Sequence, residues 1–261
     1  MPRNRAKAHL YGGLFLFYHW RMFNGKRVSV VFATYREKDS VRAAIDDFYN
    51  TGLVDEVVVV NNNAEPGTDE EVKKTKARLV YQPNQGYGWA FRKGIAEASG
   101  DLIVLCEPDS TYTGKDLGKF LEYSKDFDAV FGTRTNTSTI VPGGDMRTLR
   151  RVCNVIYGKI IQTLYGTTSL TEIGCTYKLF RKEALRKIEP FFTAVNPLFA
   201  TELILLSSIH GLKFVEIPVH YGNRVGQSTI ISSWRKLVKW AIKLLVFIVG
   251  YRVAALLGKH K

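Results

Sequence analysis

Short β-branched and apolar runs alternate with amphipathic stretches from residue 27 to about 221. That alternation predicts an α/β fold, a mostly parallel sheet flanked by helices. Arg27–Ala33 predicts the first strand, and the unbroken valines of Glu56–Val60 predict a second one buried on both faces. Further strands are predicted at Arg78–Tyr81, Asp101–Cys106 and Asp128–Thr133. Between them, a helix over Val41–Tyr49 has Asp39 or Ser40 as its cap and Gly52 just past its end. Another is opened by Gln85–Gly88 and closed by Gly100.

After residue 133 the rhythm changes. Thr135–Asp145 is a polar loop with Pro142, Gly143 and Gly144. A long amphipathic helix follows from Met146 to about Tyr165, with Leu149, Val152, Cys153, Ile156, Ile160 and Leu164 on one stripe. Thr176–Phe180 predicts a strand, Thr201–Ile209 a helix and Lys213–Tyr221 a last strand. There is no internal repeat and no low-complexity tract.

Composition adds that a real core exists: 46% of the 261 residues are hydrophobic and 23% charged, which excludes a disordered or collagen-like chain. The formal net charge of +13 sits at the ends. Residues 1–27 carry +6 and residues 224–261 carry +8, neither with an acidic residue, leaving the body at −1. A near-neutral body with no aromatic-basic face argues against nucleic acid as a partner.

The N-terminal apolar run Leu10–Trp20 is about half of the ~20 residues that a spanning helix needs, and no small-residue cleavage site follows it. The C-terminal run Trp234–Leu257 is long enough, but Arg235, Lys236, Lys239, Lys243 and Arg252 interrupt it. Lys236, Lys239 and Lys243 recur on one face, while Leu237, Trp240, Ala241, Leu244, Leu245 and Ile248 take the other. That pattern predicts a helix lying in the headgroup plane rather than crossing the bilayer. The competing reading packs this helix on the domain or on a second copy of the chain. Three parts follow: a basic, apolar N-terminal interface segment (1–26), a catalytic domain (27–230) and a basic amphipathic C-terminal helix (231–261). Cys106, Cys153 and Cys175 have no paired spacing and read as small core residues of a reducing compartment. The five histidines form no zinc-binding pattern.

In open α/β sheets the ligand lies beyond the carboxyl ends of the strands. Four predicted strand ends are polar: Thr34–Glu37, Asn61–Asn63, Glu107–Asp109 and Arg134. Two carboxylates one residue apart after a buried strand suit a hard divalent cation that also takes phosphate oxygens. They equally suit caps for the helix that follows. Gly86-Tyr87-Gly88 is neither a dinucleotide fingerprint nor a Walker A loop, so dehydrogenase and kinase readings lack their main parts.

The series VSVVFATYRE, EVVVVNNN, QPNQGYGWA, LCEPDST, FGTR and LTEIGCTYKLF resembles, in order and spacing, family-2 inverting glycosyltransferases of the Rossmann-like GT-A fold. The ending EIPVHYGNRVGQS resembles the dolichyl-phosphate mannose synthase branch and related polyprenyl-phosphate glycosyltransferases. Together these stretches cover roughly residues 27–230. The resemblance implies that Ala33, Tyr35 and Glu37 hold the nucleotide, with Asn61 and Asn62 at the second strand's turn and Gly86 and Gly88 beside it. It implies that Glu107, Pro108 and Asp109 stand at the metal-binding motif, with Mg²⁺ or Mn²⁺ on Glu107 and Asp109. Asp109, Arg134 and Glu172 fall on catalytic positions, and Arg224, Gly226 and Ser228 on the R-x-x-G-x-S stretch. Three departures are visible: Glu for the first Asp of the metal motif, Asn for the second strand's Asp, and Thr229-Ile230 where a Lys is usual.

The implied reaction moves a sugar from a nucleotide-diphosphate sugar to a polyprenyl (dolichyl or undecaprenyl) phosphate at the cytoplasmic face of a membrane. A phosphate acceptor, with a second pKa near ~6, needs positive charge rather than a strong base. Arg147, Arg150, Arg151, Arg224 and Ser228 are the candidates for holding it. A hydroxyl acceptor would instead need a base, and Glu172 is the candidate. A membrane-associated binding protein that kept the fold and lost activity is the third reading. A homo-oligomer formed through the C-terminal helix is compatible with each.

Overall fold

The structure is a computed structural model that describes residues 23–142, 144, 148–225 and 234–259. Residues 1–22 of the N-terminal segment, Arg147, Gly226 and Ser228 lie outside the described residues. Seven strands form one sheet in the order β3-β2-β1-β4-β6-β5-β7. They are β1 (Val28–Thr34), β2 (Glu56–Asn61), β3 (Arg78–Tyr81), β4 (Leu102–Cys106), β5 (Ala129–Thr133), β6 (Lys178–Arg181) and β7 (Phe214–Pro218). All pairings are parallel except those of β6, which runs antiparallel between β4 and β5.

The valine runs make the sheet what it is. Val57 and Val59 point to one face with Val30 and Phe32, and Val58 and Val60 point to the other with Val31. Both faces are therefore buried, as a parallel sheet requires. Helices α1 (Lys38–Asn50), α2 (Thr68–Lys73) and α4 (Leu117–Tyr123) cover one face through Ile45, Phe48, Val72 and Phe120. Helices α3 (Tyr87–Glu97), α5 (Thr148–Tyr165), α6 (Lys182–Ile188), α7 (Phe199–Ile209) and α8 (Trp234–Leu256) cover the other.

Several boundaries differ from expectation. Helix α1 starts at Lys38, so Asp39 and Ser40 lie within it, and Glu37 at its start makes no side-chain capping bond. Helices α2, α4 and α6 are six or seven residues long, too short for a 3.6-residue period to stand out. The apolar stripe of α5 is only partly buried: Leu149, Val152 and Ile156 are 60%, 45% and 52% exposed, while Ile160 packs on the core beside Gly158 and Ile161. On α8, Leu244, Ile248 and Tyr251 are buried against the domain, and Val238, Ile242, Leu245, Val246, Val249, Val253 and Leu256 are exposed. Leu244 and Ile248, expected on the headgroup face, thus pack on the domain as the competing reading has it, because the core offers them apolar partners, and the exposed apolar residues lie on another edge. Among the described residues, no helix is long and apolar enough to cross a membrane.

Candidate active site

Strand order brings the site together. The sheet grows leftward from β1 to β2 and rightward from β1 to β4, so the β1 and β4 ends flank a topological switch point. Phe32 pairs with Cys106, which puts the turns Thr34–Glu37 and Glu107–Asp109 side by side. Because β6 is antiparallel, the segment that enters it arrives at this same edge. Thr171 to Thr176 thereby stand beside Glu107 and Arg134.

Asp109 is fully buried. Its Oδ1 accepts from the Thr111 amide (3.0 Å) and the Thr111 hydroxyl (2.5 Å), a turn closure typical of Asp-x-Thr. Its Oδ2 is buried with no hydrogen bond and meets the Arg224 guanidinium at 2.5 Å in an ion pair. The same Arg224 Nη2 donates to Glu107 Oε2 at 2.9 Å. Arg224 is held in place by its neighbours, since the Val225 amide donates to the Asp109 carbonyl (2.9 Å) and the Gly222 amide to that of Thr111 (2.9 Å). Ser110, between the two ends of this closure, has a left-handed φ of 66°. Burial pushes the Glu107 carboxyl up, the Asp109 charge adds to this, and Arg224 pulls it back.

The carboxylate pair fits a divalent cation. A positive group, the Arg224 guanidinium, already bridges both carboxylates at the place a cation would take. Among the described residues no cluster of three or more His, Cys, Asp or Glu could hold a metal, and the two carboxylates at the β4 end are Glu107 and Asp109. That is the donor set of a Mg²⁺-type site completed by substrate phosphate and water.

Arg134 and Glu172 form the second element. Glu172, 1% exposed, receives Arg134 Nε on Oε2 (3.1 Å) and Arg134 Nη2 on Oε1 (3.1 Å). Its Oε1 also accepts from the amides of Ile173 (3.2 Å) and Gly174 (3.0 Å). Burial alone would raise this carboxyl, but the Arg134 charge and these bonds hold it below the ordinary range. Burial would likewise lower Arg134, but Glu172, with Tyr112 and Cys175 nearby, holds it well above the ordinary guanidinium range. The Arg134 guanidinium also lies over the Tyr221 ring at 5.1 Å.

The remaining expected residues have distinct positions. Glu37 Oε2 accepts from the amides of Tyr35 (2.6 Å) and Arg36 (2.8 Å), and burial raises its carboxyl against those bonds. Ala33 is half-buried in β1 and Tyr35 exposed just beyond it, while Pro108 is buried between the two carboxylates. Asn61 and Asn62 are spent on the protein itself. Asn61 Nδ2 donates to Asp69 (2.6 Å) and its Oδ1 accepts from the Ala64 amide (2.9 Å). Asn62 Nδ2 donates to the carbonyls of Gln82 (2.9 Å) and Asn84 (2.7 Å), and its Oδ1 accepts from the Gly86 amide (2.7 Å). A Cβ on Gly86 or Gly88 would sit 2.4 Å from the Val195 carbonyl oxygen or 2.2 Å from that of Ala194, so the turn requires glycine at both places. Arg150 and Arg151 lie half-buried on the first turn of α5.

Two groups escaped the sequence reading. Asp69, from the short α2, supplies a carboxylate at the β2 end and is held by Asn61 and the Tyr81 hydroxyl (2.8 Å). Thr176 joins Tyr87 (2.6 Å) to Glu107 (3.1 Å), which links the glycine turn to the carboxylate pair. Nothing in the local sequence marks either one.

Residues 29–189 match the family model "Glycosyl transferase family 2". A dolichyl-phosphate hexose transferase of Haloferax volcanii is 27% identical over 205 residues, which cover 78% of this chain and 86% of that protein. The dolichyl-phosphate beta-glucosyltransferase ALG5C of Trichomonas vaginalis is 27% identical over 222 residues, 79% of this chain and 63% of that one. The chain thus spans under two thirds of the Trichomonas protein. Among solved structures, glucosyl-3-phosphoglycerate synthase of Mycobacterium tuberculosis, in complex with Mn²⁺, UDP and glucosyl-3-phosphoglycerate, superposes with a TM-score of 0.66 at 16% identity. That match covers 87% of this chain and 81% of the synthase. The strand ends, their carboxylates and the matched stretch agree: this chain belongs to glycosyl transferase family 2.

Proposed function

We propose that this glycosyltransferase moves a hexose, with inversion, from a nucleotide-diphosphate sugar to a polyprenyl phosphate. The observation that carries the choice of acceptor is the Glu172–Arg134 pair. A carboxylate that is buried, held ionised and bonded through both oxygens to a guanidinium is a weakened base for a hydroxyl. A phosphate acceptor needs none, because it is largely ionised at neutral pH. The relatives that act on dolichyl phosphate support the same choice.

In this reading the donor lies across the β1 and β4 ends, with its base toward Tyr35 and Glu37 and its diphosphate toward Glu107 and Asp109. Mg²⁺ or Mn²⁺, held by Glu107 and Asp109, supplies neutralisation of the charge that gathers on the departing diphosphate. An oxygen of the lipid phosphate attacks the anomeric carbon from the far face as the bond to the diphosphate breaks. Arg224 and Ser228 receive the acceptor phosphate, with Arg150 and Arg151 lending charge from the first turn of α5 and Arg147 a further candidate by sequence. Glu172 holds the Arg134 guanidinium toward the pocket, where it faces the donor's charge.

A lipid acceptor must be collected at a bilayer surface. The exposed apolar residues of α5 and α8, bordered by Lys239, Lys243 and Arg252, support peripheral attachment there.

The test is incubation of the detergent-purified protein with dolichyl and undecaprenyl phosphates, a nucleotide-sugar panel and Mg²⁺ or Mn²⁺. Mass spectrometry then looks for the lipid-phosphate sugar. A metal-dependent product that Asp109→Ala abolishes is expected. Nucleotide-sugar binding without any such product, together with transfer to a glycan hydroxyl, would overturn the reading.

A further inference from the structure

Helix α8 meets the domain through three hydroxyls. Two come from α5: Tyr157 donates to the Ala241 carbonyl (2.8 Å) and Tyr165 to the Ile248 carbonyl (2.7 Å). The third belongs to α8 itself. Tyr251 donates to Glu202 Oε1, in the first turn of α7, and lies 2.7 Å from the Thr193 hydroxyl.

Glu202 is completely buried. Its Oε1 also accepts from the Thr193 amide (2.8 Å), the Thr193 hydroxyl (2.7 Å) and the Ala194 amide (2.9 Å). Its Oε2 is buried with no hydrogen bond. All donors converge on one oxygen, so this carboxylate holds the 193–194 segment at one height. The next carbonyl, that of Val195, accepts from the Gly88 amide at 3.0 Å. Segment 194–195 is also what a Cβ on Gly86 or Gly88 would strike. From the glycine turn the contacts continue through Tyr87 and Thr176 to Glu107.

We infer that Glu202 and Tyr251 are positioning residues of the donor site. They set the segment on which the glycine turn rests, which makes the C-terminal helix a support of the donor pocket as well as a surface element. This rests on the reading that the glycine turn borders the nucleotide-sugar.

The test compares Tyr251→Phe with Tyr165→Phe, each of which removes one hydroxyl from the α8 contacts. Calorimetry measures binding of UDP and GDP with Mn²⁺, and hydrogen exchange follows the amides of residues 86–89. In Tyr251→Phe the dissociation constant is expected to rise 3- to 10-fold and exchange at 86–89 to speed up. The KM for the donor rises in step, with kcat within twofold and the acceptor KM unchanged. Tyr165→Phe is expected to leave all of these at wild-type values. Unchanged exchange and affinity in Tyr251→Phe, or equal effects of both variants, would overturn the inference. Faster exchange without weaker nucleotide binding would keep the mechanical link and overturn the donor role of the turn. Wild-type protein that binds neither nucleotide would overturn the donor reading and this inference together.

Discussion

Arg224 occupies the position where a divalent cation would meet Glu107 and Asp109, so the two must compete. Its Nη2 stands 2.5 Å from Asp109 Oδ2 and 2.9 Å from Glu107 Oε2. A hydrogen bond to a charged group is worth about 1.5–3 kcal/mol net. The Arg224 side chain is 32% exposed, so water restores much of this when it leaves. About 1–2 kcal/mol of opposition to the metal remains, and 1.4 kcal/mol is tenfold in affinity. Arg224→Ala is therefore expected to bind Mn²⁺ roughly 5- to 30-fold more tightly when no nucleotide or acceptor is present. The backbone closure from Gly222 and Val225 to the 109–111 turn is untouched by the substitution. Electron paramagnetic resonance titration of free Mn²⁺ measures the affinity directly. Turnover is expected to fall nonetheless, through a higher KM for the lipid phosphate, because the acceptor loses its guanidinium. Equal or weaker Mn²⁺ binding in the variant would refute the competition, since arginine and ion would then have separate places.

Glu172→Gln strands a buried guanidinium, and breaking such a pair costs about 3–5 kcal/mol. The variant is expected to melt well below the wild type in calorimetry, an effect that a simple catalytic base would not produce. Glu216 accepts from the amides of Thr171 and Glu172, and burial pushes its carboxyl up to about 7 from 4.5. Between those values the folded chain holds the proton more tightly than the unfolded one, so its contribution to stability declines as pH rises from 4.5 to about 7. Urea midpoints measured across this range should fall less steeply in Glu216→Gln than in the wild type. Ile242 and Val246 are 59% and 66% exposed, so Ile242→Glu with Val246→Glu leaves the core intact. Sedimentation with anionic vesicles should be lost in that variant and weakened by salt in the wild type. Sedimentation unchanged by the substitutions, or a wild-type dimer that they dissociate, would assign this face to a second copy instead.

The sheet was legible because its chemistry is local. Four consecutive valines after Glu56 have no stable place except a strand covered on both sides, and polar residues directly after such runs must lie at the sheet's edge. The order of Glu-Pro-Asp, Gly-Thr-Arg and the stretch before β6 also carried the family resemblance. The short helices escaped because six or seven residues hold too few turns to display a period. The stripe of α5 was legible as a stripe and no more. Periodicity reports that one face is apolar, not what covers it, and here Leu149, Val152 and Ile156 are exposed while Ile160 packs on the core.

Composition and pattern were enough for the α/β class, the basic ends and the set of polar residues at the strand termini, since these depend on neighbours in the chain. Partners distant in sequence came only with the fold. Arg224 reaches Asp109 across 115 positions because β7 returns beside β5 and its exit closes over the β4 turn. Asn61 and Asn62 look equally available for a ligand in the sequence, yet their amides are consumed by Asp69 and by the glycine turn. Glu172 stands alone as a carboxylate in the sequence, and only the fold puts Arg134 on both of its oxygens. Side-chain type states what a group is able to do. The partner that burial forces on it, through the free energy of leaving a charge or a hydrogen bond unmet, selects what it does.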